Sequence, residues 1–109
     1  MSDKDQKVAE FKAEAEEQLK QVGETSIDDG ILQELADKMK LVIENRDALY
    51  VAGTDVSELE TVRRNFIAKK MGIDDKEQGM KIAKAVAEKM SAIRMKNRAA
   101  FYYLCKQHG

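Results

Sequence analysis

The chain has no proline among its 109 residues, and this absence constrains the fold more than any other feature of the sequence. Average usage would place about five prolines in a chain of this length. Proline lacks a backbone N–H donor and its ring clashes with the preceding helical turn, so a chain that avoids it is typical of long helices. We therefore expect a mainly helical fold.

The spacing of the apolar residues agrees with that expectation, because they recur at steps of three and four and so line one face of a helix. The stripes are Val8, Phe11, Ala15, Leu19 and Val22; Leu32, Leu35, Met39, Val42 and Ile43; Leu59, Val62 and Phe66 with Ile67 and Met71 beside them; and Ile82, Ala83, Val86 and Met90. A last segment, 99–105, is apolar or aromatic on every side, which favours a helix packed on several faces. The pattern predicts an all-α fold, a single compact bundle of four to five helices forming one domain over residues 1–109.

Residues that favour helix ends stand at the borders of these segments. The predicted starts are Ser2 or Asp3, the signal Ser26 to Asp29, a capping box of Ser57 with Glu60, and Asp74 or Asp75; the predicted ends are Gly23 and Gly72. We expect the second helix to stop near Asn45, before an irregular connection through residues 48–51. One helix over 75–107 would be unusually long, so we also expect a break between Met90 and Lys96.

Charge divides the chain into two halves. Residues 1–60 carry 7 Lys and Arg against 16 Asp and Glu, a balance of −9, and residues 61–109 carry 12 against 4, a balance of +8. The boundary falls inside the third predicted helix, 57–71, so the halves cannot be independent domains. The basic residues scatter around three helices without interleaved aromatic residues, so we favour an intramolecular charge match over nucleic-acid binding.

Two cations of the third predicted helix fall on the side that should face the core. At about 100° per residue, Arg63 and Lys70 lie between its apolar stripes. Buried cations need partners or a route to water, so these side chains either reach the rim, pair with carboxylates of the acidic half, or hold a phosphate or carboxylate. We favour pairing or a route to water, because structural ion pairs are common.

Asn97 raises the same question on the last helix. It projects with Ile93, Phe101 and Leu104, which predicts a buried, hydrogen-bonded amide; alternatively, Asn97 caps the start of that helix. Arg63, Lys70 and Asn97 together form the candidate anion or ion-pair site.

No pattern predicts a catalytic residue, a metal or another cofactor. Cys105 and His108 stand three residues apart, but His108 is the sole histidine and two ligands are too few for a zinc site. The paired carboxylates stand where helix caps and solvated faces need them. The lone cysteine, the polar N-terminus and the lack of an apolar run of about 20 residues favour a cytoplasmic protein without a membrane span.

Two stretches of the sequence carry a resemblance to a known family. They are Ser57-Glu58-Leu59-Glu60-Thr61-Val62, Asn65-Phe66, Lys69-Lys70 and Gly72, and later Asn97-Arg98 and Tyr102-Tyr103-Leu104. In these residues the sequence resembles a family of small bacterial proteins known only as a domain of unknown function, DUF2853. Ala99 and Ala100 stand where the resemblance leads us to expect bulkier residues. It implies a compact, mostly helical cytoplasmic protein and brings no activity or catalytic residue.

The sequence therefore favours a non-enzymatic interaction or accessory module, with a protein partner of unknown identity. The alternative is a binding protein for an anionic ligand, phosphate or carboxylate, at the basic site of the third predicted helix. Nucleic-acid binding and catalysis rank below both.

Overall fold

The computed structural model describes residues 3–108 and shows a mainly helical fold with one small sheet. The helices are α1 (Asp3–Gln21), α2 (Asp29–Asp37), α3 (Arg46–Leu49), α4 (Val56–Val62), α5 (Lys76–Lys89) and α6 (Arg98–His108). A 3₁₀ turn, Lys40–Val42, follows α2, and a π-helical segment, Arg63–Ala68, continues α4. The strands are β1 (Tyr50–Val51) and β2 (Lys96–Asn97). The predicted all-α class is confirmed, with this two-residue pairing as an addition.

Helix α6 forms the centre of the fold, because it is buried from Arg98 to Cys105. Helices α1, α2 and α5 pack against it, and the π-helical segment also contacts it. The apolar run 99–105 therefore predicted correctly a helix enclosed on several faces. The apolar stripes of α1 and α5 turn inward to this core, and Val8, Phe11, Ile82 and Val86 are all buried.

Both helix ends predicted at glycine are confirmed. Gly23 and Gly72 have φ angles of +99° and +74°, in the left-handed region that glycine enters without a Cβ penalty. The Ile73 N–H donates to the Ile67 carbonyl at 3.2 Å, so the chain folds back onto the helix it has just left. Lys69–Met71 form the turn that leads from the π-helical segment to Gly72.

Two predicted helix starts are wrong, because an aspartate takes the cap position that a serine was expected to fill. The Asp28 side chain, not Ser26, accepts the Ile31 N–H at 3.1 Å. Asp55 accepts both the N–H and the hydroxyl of Ser57, at 2.9 and 2.8 Å, so the Ser57–Glu60 capping box does not form. Ser2 lies outside the described residues.

The cap of α5 follows its prediction: Asp75, one of the two residues expected there, accepts the N–H groups of Glu77 and Gln78. The second predicted helix, in contrast, is shorter than expected, since α2 ends at Asp37 rather than near Asn45. Asn45 instead caps α3 by accepting the Asp47 N–H at 3.1 Å.

The two strands join distant parts of the chain. They are antiparallel, with Tyr50 opposite Asn97 and Val51 opposite Lys96. The break predicted between Met90 and Lys96 is confirmed, since α5 ends at Lys89 and α6 begins at Arg98. The strand β2, which leads from this break directly into α6, was not predicted.

Candidate functional site

Three consecutive polar residues are buried where β2 passes into α6. Lys96, Asn97 and Arg98 are 6%, 0% and 8% exposed. Successive side chains in a strand point to opposite faces, so the three reach different neighbours. Hydrogen bonds from this junction connect α6 to α1, β1 and α4.

Asn97 uses its full hydrogen-bonding capacity within the fold. Its amide nitrogen donates to the Phe11 carbonyl at 2.9 Å and to Glu14 Oε1 at 3.0 Å. Its oxygen accepts the N–H groups of Ala99 and Ala100, at 2.9 and 3.2 Å. Asn97 is therefore both a buried amide and the cap of α6, two roles that the sequence presented as alternatives.

Gln18 and Glu14 of α1 extend this network. The Asn97 N–H donates to Gln18 Oε1 at 2.9 Å, and Gln18 Nε2 donates to the Met95 carbonyl at 2.9 Å. The Tyr50 hydroxyl donates to Glu14 Oε2 at 3.2 Å. Burial, and then this bond to Glu14, raise the pKa of Tyr50 above its usual value.

Arg98 connects α6 to β1 and α4. Its Nε donates to the Ala48 carbonyl at 2.7 Å, and its Nη2 donates to the Tyr50 carbonyl at 3.1 Å and to the Glu58 carboxylate. Its Nη1 donates to the Tyr102 hydroxyl at 3.2 Å. The sequence placed Arg98 among the scattered basic residues and in the Asn97-Arg98 pair of the family resemblance, but it predicted none of these bonds. A further signal is Tyr102, one turn later on the same face of α6.

The structure places Arg63 and Lys70 in different environments. Arg63 is buried and its Nε donates to Glu60 Oε2 at 3.0 Å. This bond lowers the pKa of Glu60 and raises that of Arg63. Lys70 is exposed, and within residues 3–108 no carboxylate lies within 4 Å of it.

The expected inward position of Lys70 is wrong because the helix changes its geometry between the two cations. A π-helical segment has i→i+5 hydrogen bonds and more residues per turn than an α-helix. The segment Arg63–Ala68 has this geometry, so a phase of about 100° per residue no longer applies after Arg63. No hydrogen bond or ion pair joins any two of Arg63, Lys70 and Asn97 in the described chain.

Only some of the ion pairs join the acidic half of the chain to the basic half. The pairs across the boundary are Arg98–Glu58, Arg63–Glu60, Arg64–Glu60 at 3.9 Å and Lys89–Glu24 at 3.1 Å. Other pairs lie within the acidic half, as for Lys12 with Asp29 at 2.6 Å. Several cations of the basic half, among them Arg94, face solvent without such a partner among the described residues.

A groove opens beside β1, on the outer side of the Arg98 network. Its volume is about 480 Å³, and we call it the β1 groove. It is lined by Arg46, Asp47, Tyr50, Val51, Ala52, Glu58, Arg94 and Met95. Arg46 Nη2 lies 3.8 Å from the Met95 sulfur across it. The groove thus combines apolar side chains with guanidinium groups.

Cys105 is buried in α6, and this burial raises the pKa of its thiol to about 12. Such a thiol is a poor nucleophile and a poor metal ligand. Across residues 3–108, no three His, Cys, Asp or Glu side chains are grouped so that they could hold a metal ion. In the same range, no helix has the length and apolar character to cross a membrane.

A family model described as a protein of unknown function, DUF2853, matches residues 14–109. The chain belongs to the DUF2853 family. No curated protein matches it. In this DUF2853 chain, the two segments that carried the resemblance meet in the fold. Glu58 of the first pairs with Arg98 of the second, and the rings of Phe66 and Tyr102 stack with centroids 4.1 Å apart.

Proposed function

We propose that this DUF2853 protein is a non-enzymatic interaction module, and that the β1 groove binds an acidic, apolar peptide segment of a partner protein. The observation that carries the proposal is that exposed Met95 lines the groove together with Arg46 and Arg94, two arginines that have no carboxylate partner in the described chain. We further propose that it acts in the bacterial cytoplasm, which its single, buried cysteine supports.

The apolar part of the groove suits a side chain from a partner. Met95 is 43% exposed, although most large apolar residues of the chain are buried. Tyr50 and Val51 line the groove beside it. Methionine is unbranched and polarisable, so it adapts to apolar partners of different shape. We therefore expect the bound segment to insert an aliphatic or aromatic side chain here.

The charges of the groove favour carboxylates in the bound segment. Arg46 and Arg94 have no carboxylate within 4 Å among residues 3–108. Glu58 also lines the groove, but its carboxylate is already held by Arg98. A guanidinium binds a carboxylate through two parallel hydrogen bonds. Acidic residues next to the inserted apolar side chain would complete these contacts, while Asp47 disfavours a strongly acidic run.

The groove is held in shape from behind by the buried network. Arg98 holds the carbonyls of Ala48 and Tyr50, and Gln18 holds the carbonyl of Met95. These bonds hold the backbone of two residues that line the groove, Tyr50 and Met95, and leave the guanidinium groups of Arg46 and Arg94 without a carboxylate. A preformed site loses less conformational entropy on binding, which favours a dedicated binding surface.

Selection from a displayed peptide library tests the proposal. Folded wild-type protein should enrich peptides in which one or two acidic residues flank an apolar residue. Their affinity should fall about tenfold or more in Arg94→Glu, because a charge-assisted hydrogen bond is replaced by repulsion. Met95→Glu should lower the affinity of these peptides by a similar factor.

Lys69→Glu is the matched control, because it makes the same charge change at an exposed residue outside the groove. Binding to this variant should match wild type. The proposal fails if no acidic-apolar peptide is enriched, or if enriched peptides bind Arg94→Glu and Met95→Glu as tightly as wild type.

A further inference from the structure

Lys96 is a buried cation whose ammonium has only one described hydrogen-bond partner. Its Nζ donates to the Ile93 carbonyl at 2.7 Å, although an ammonium has three donors. No carboxylate among residues 3–108 lies within 4 Å of Nζ. Burial lowers the pKa of Lys96, as expected for a cation held away from water and from opposite charge.

A glycine leaves room for the Lys96 side chain. A Cβ at Gly53 would lie 2.8 Å from Lys96 Cε and 3.2 Å from both Cδ and Nζ. Only a residue without a side chain therefore allows the lysine stem to pass directly over the turn after β1. The stem lies against Gly53, and the Ile93 carbonyl holds the ammonium at its end.

A cavity of about 300 Å³ includes this lysine in its lining. It is lined by Gly53, Thr54, Leu59, Lys84, Ala87, Glu88, Ser91 and Lys96. Thr54, Lys84, Glu88 and Ser91 are exposed, so they stand at the mouth, whereas Lys96 is buried. Two hydroxyl-bearing side chains and two lysines therefore line one cavity, and none of the four lines the β1 groove.

We propose that this cavity, the Lys96 cavity, binds the phosphate group of a small molecule, with Lys96 at its base and Lys84, Thr54 and Ser91 at its mouth. Lysine binds phosphate as a point charge, and hydroxyls donate to its remaining oxygens. Glu88 is the one acidic residue of the lining, and Lys84 is four residues before it on the same face of α5. The lining keeps a net positive charge. The site is separate from the β1 groove and does not depend on the function proposed for it.

Titration of the wild-type protein with inorganic phosphate tests the inference. Phosphate should raise the thermal unfolding midpoint above that in sodium chloride of equal ionic strength, because a ligand of the native state stabilises it. The ε-methylene NMR signals of Lys96 should shift with saturation. Since a bound anion stabilises the ammonium, binding should weaken as pH rises through the pKa of Lys96, with Lys84 and Glu88 as the other charges facing the site.

Three variants make the test specific. Lys96→Met keeps an unbranched stem and should weaken phosphate binding about tenfold or more, since it removes a charge-assisted hydrogen bond. Lys84→Gln changes an exposed residue, so it should fold normally and show a smaller loss. Lys81→Gln is the control, because Lys81 is exposed on the same helix but does not line the cavity.

The inference is overturned if phosphate neither stabilises the protein nor shifts the Lys96 signals, since Lys96 is then a hydrated lysine only. An unchanged phosphate response in Lys84→Gln and Lys96→Met also overturns it. An equal response to acetate at matched ionic strength would overturn the assignment to phosphate in particular.

Discussion

Asn97 and Phe11 are joined by a 2.9 Å hydrogen bond from the side-chain amide of the first to the backbone carbonyl of the second, across 86 residues of sequence. The oxygen of the same amide caps α6 by accepting the N–H of Ala99. One side chain thus fixes the start of the central helix and attaches it to α1.

Replacing Asn97 with alanine should lower the free energy of unfolding by about 3 kcal/mol. The cap contributes about 1 kcal/mol, and the two bonds that the amide nitrogen donates, to the Phe11 carbonyl and to Glu14, contribute about 1 kcal/mol each. Asn97→Asp keeps the cap acceptor but loses both donors and places a negative charge beside Glu14, so it should also destabilise. Urea unfolding measures both changes.

The control for Asn97 is Asn45, which caps α3 at an exposed position. Asn45→Ala should cost only about 1 kcal/mol, the usual effect of a lost cap. Equal losses for the two alanine variants would contradict the role assigned to the buried amide.

Replacing Arg98 with methionine should destabilise the protein far more than the same change at Arg63. Arg98→Met leaves two carbonyls and the Glu58 carboxylate without their donor, at a cost of about 3 kcal/mol or more. Arg63→Met leaves only the Glu60 carboxylate without its donor, and this side chain is 26% exposed. Because water reaches the carboxylate, the loss of stability should be about 1 kcal/mol or less. Thermal unfolding of both variants under identical conditions provides the comparison, and similar losses would refute the distinction.

Gly79 allows α5 to approach the π-helical segment closely. An added Cβ would lie 2.7 Å from Arg63 Cγ and 3.5 Å from Ile67 Cγ2. Gly79→Ala should therefore lower stability by about 1–3 kcal/mol, because overpacking outweighs the gain in helix propensity of about 1 kcal/mol. Gly30→Ala is the matched control in the exposed start of α2, where the nearest atom is the Asp28 carboxylate oxygen at 3.3 Å. It should be neutral or slightly stabilising when both are unfolded in urea.

The buried thiol of Cys105 should make the protein less stable at alkaline pH. Its pKa is raised from 9.0 to about 12, so between these values the unfolded chain has lost a proton that the native protein keeps. Because the unfolded state then binds fewer protons, stability falls as pH rises through this window. Urea unfolding at several pH values measures the slope, and Cys105→Ala should reduce it. An identical slope in that variant would argue against the buried thiol as its source.

Local features of the fold were predictable from sequence because their signals are local. Gly23 and Gly72 end their helices through backbone angles that a single residue determines. The burial of residues 99–105 followed from their composition. In contrast, Ser57 and Asp55 are both good caps, and spacing alone does not decide between them.

The features that depend on distant residues were not predictable in this way. A two-residue strand at Tyr50 has no periodicity of its own and exists because Asn97 lies opposite it. The π-helical geometry after Val62 turned Lys70 outward, and no sequence pattern specified it. One signal was available: Gln18 stands in the apolar stripe of α1, and a polar residue at a core position needs a partner.

The junction of β2 and α6 also has a consequence for the folding kinetics. Its hydrogen bonds to Gln18 and Phe11 span 79 and 86 residues, so α1 gains its polar partners only when a very long loop closes. Loop closure of this length carries a large entropic cost before any contact is gained. Although most of its structure is helical and local, the protein should fold more slowly than its helix content suggests, with β2 joining α1 as a late event.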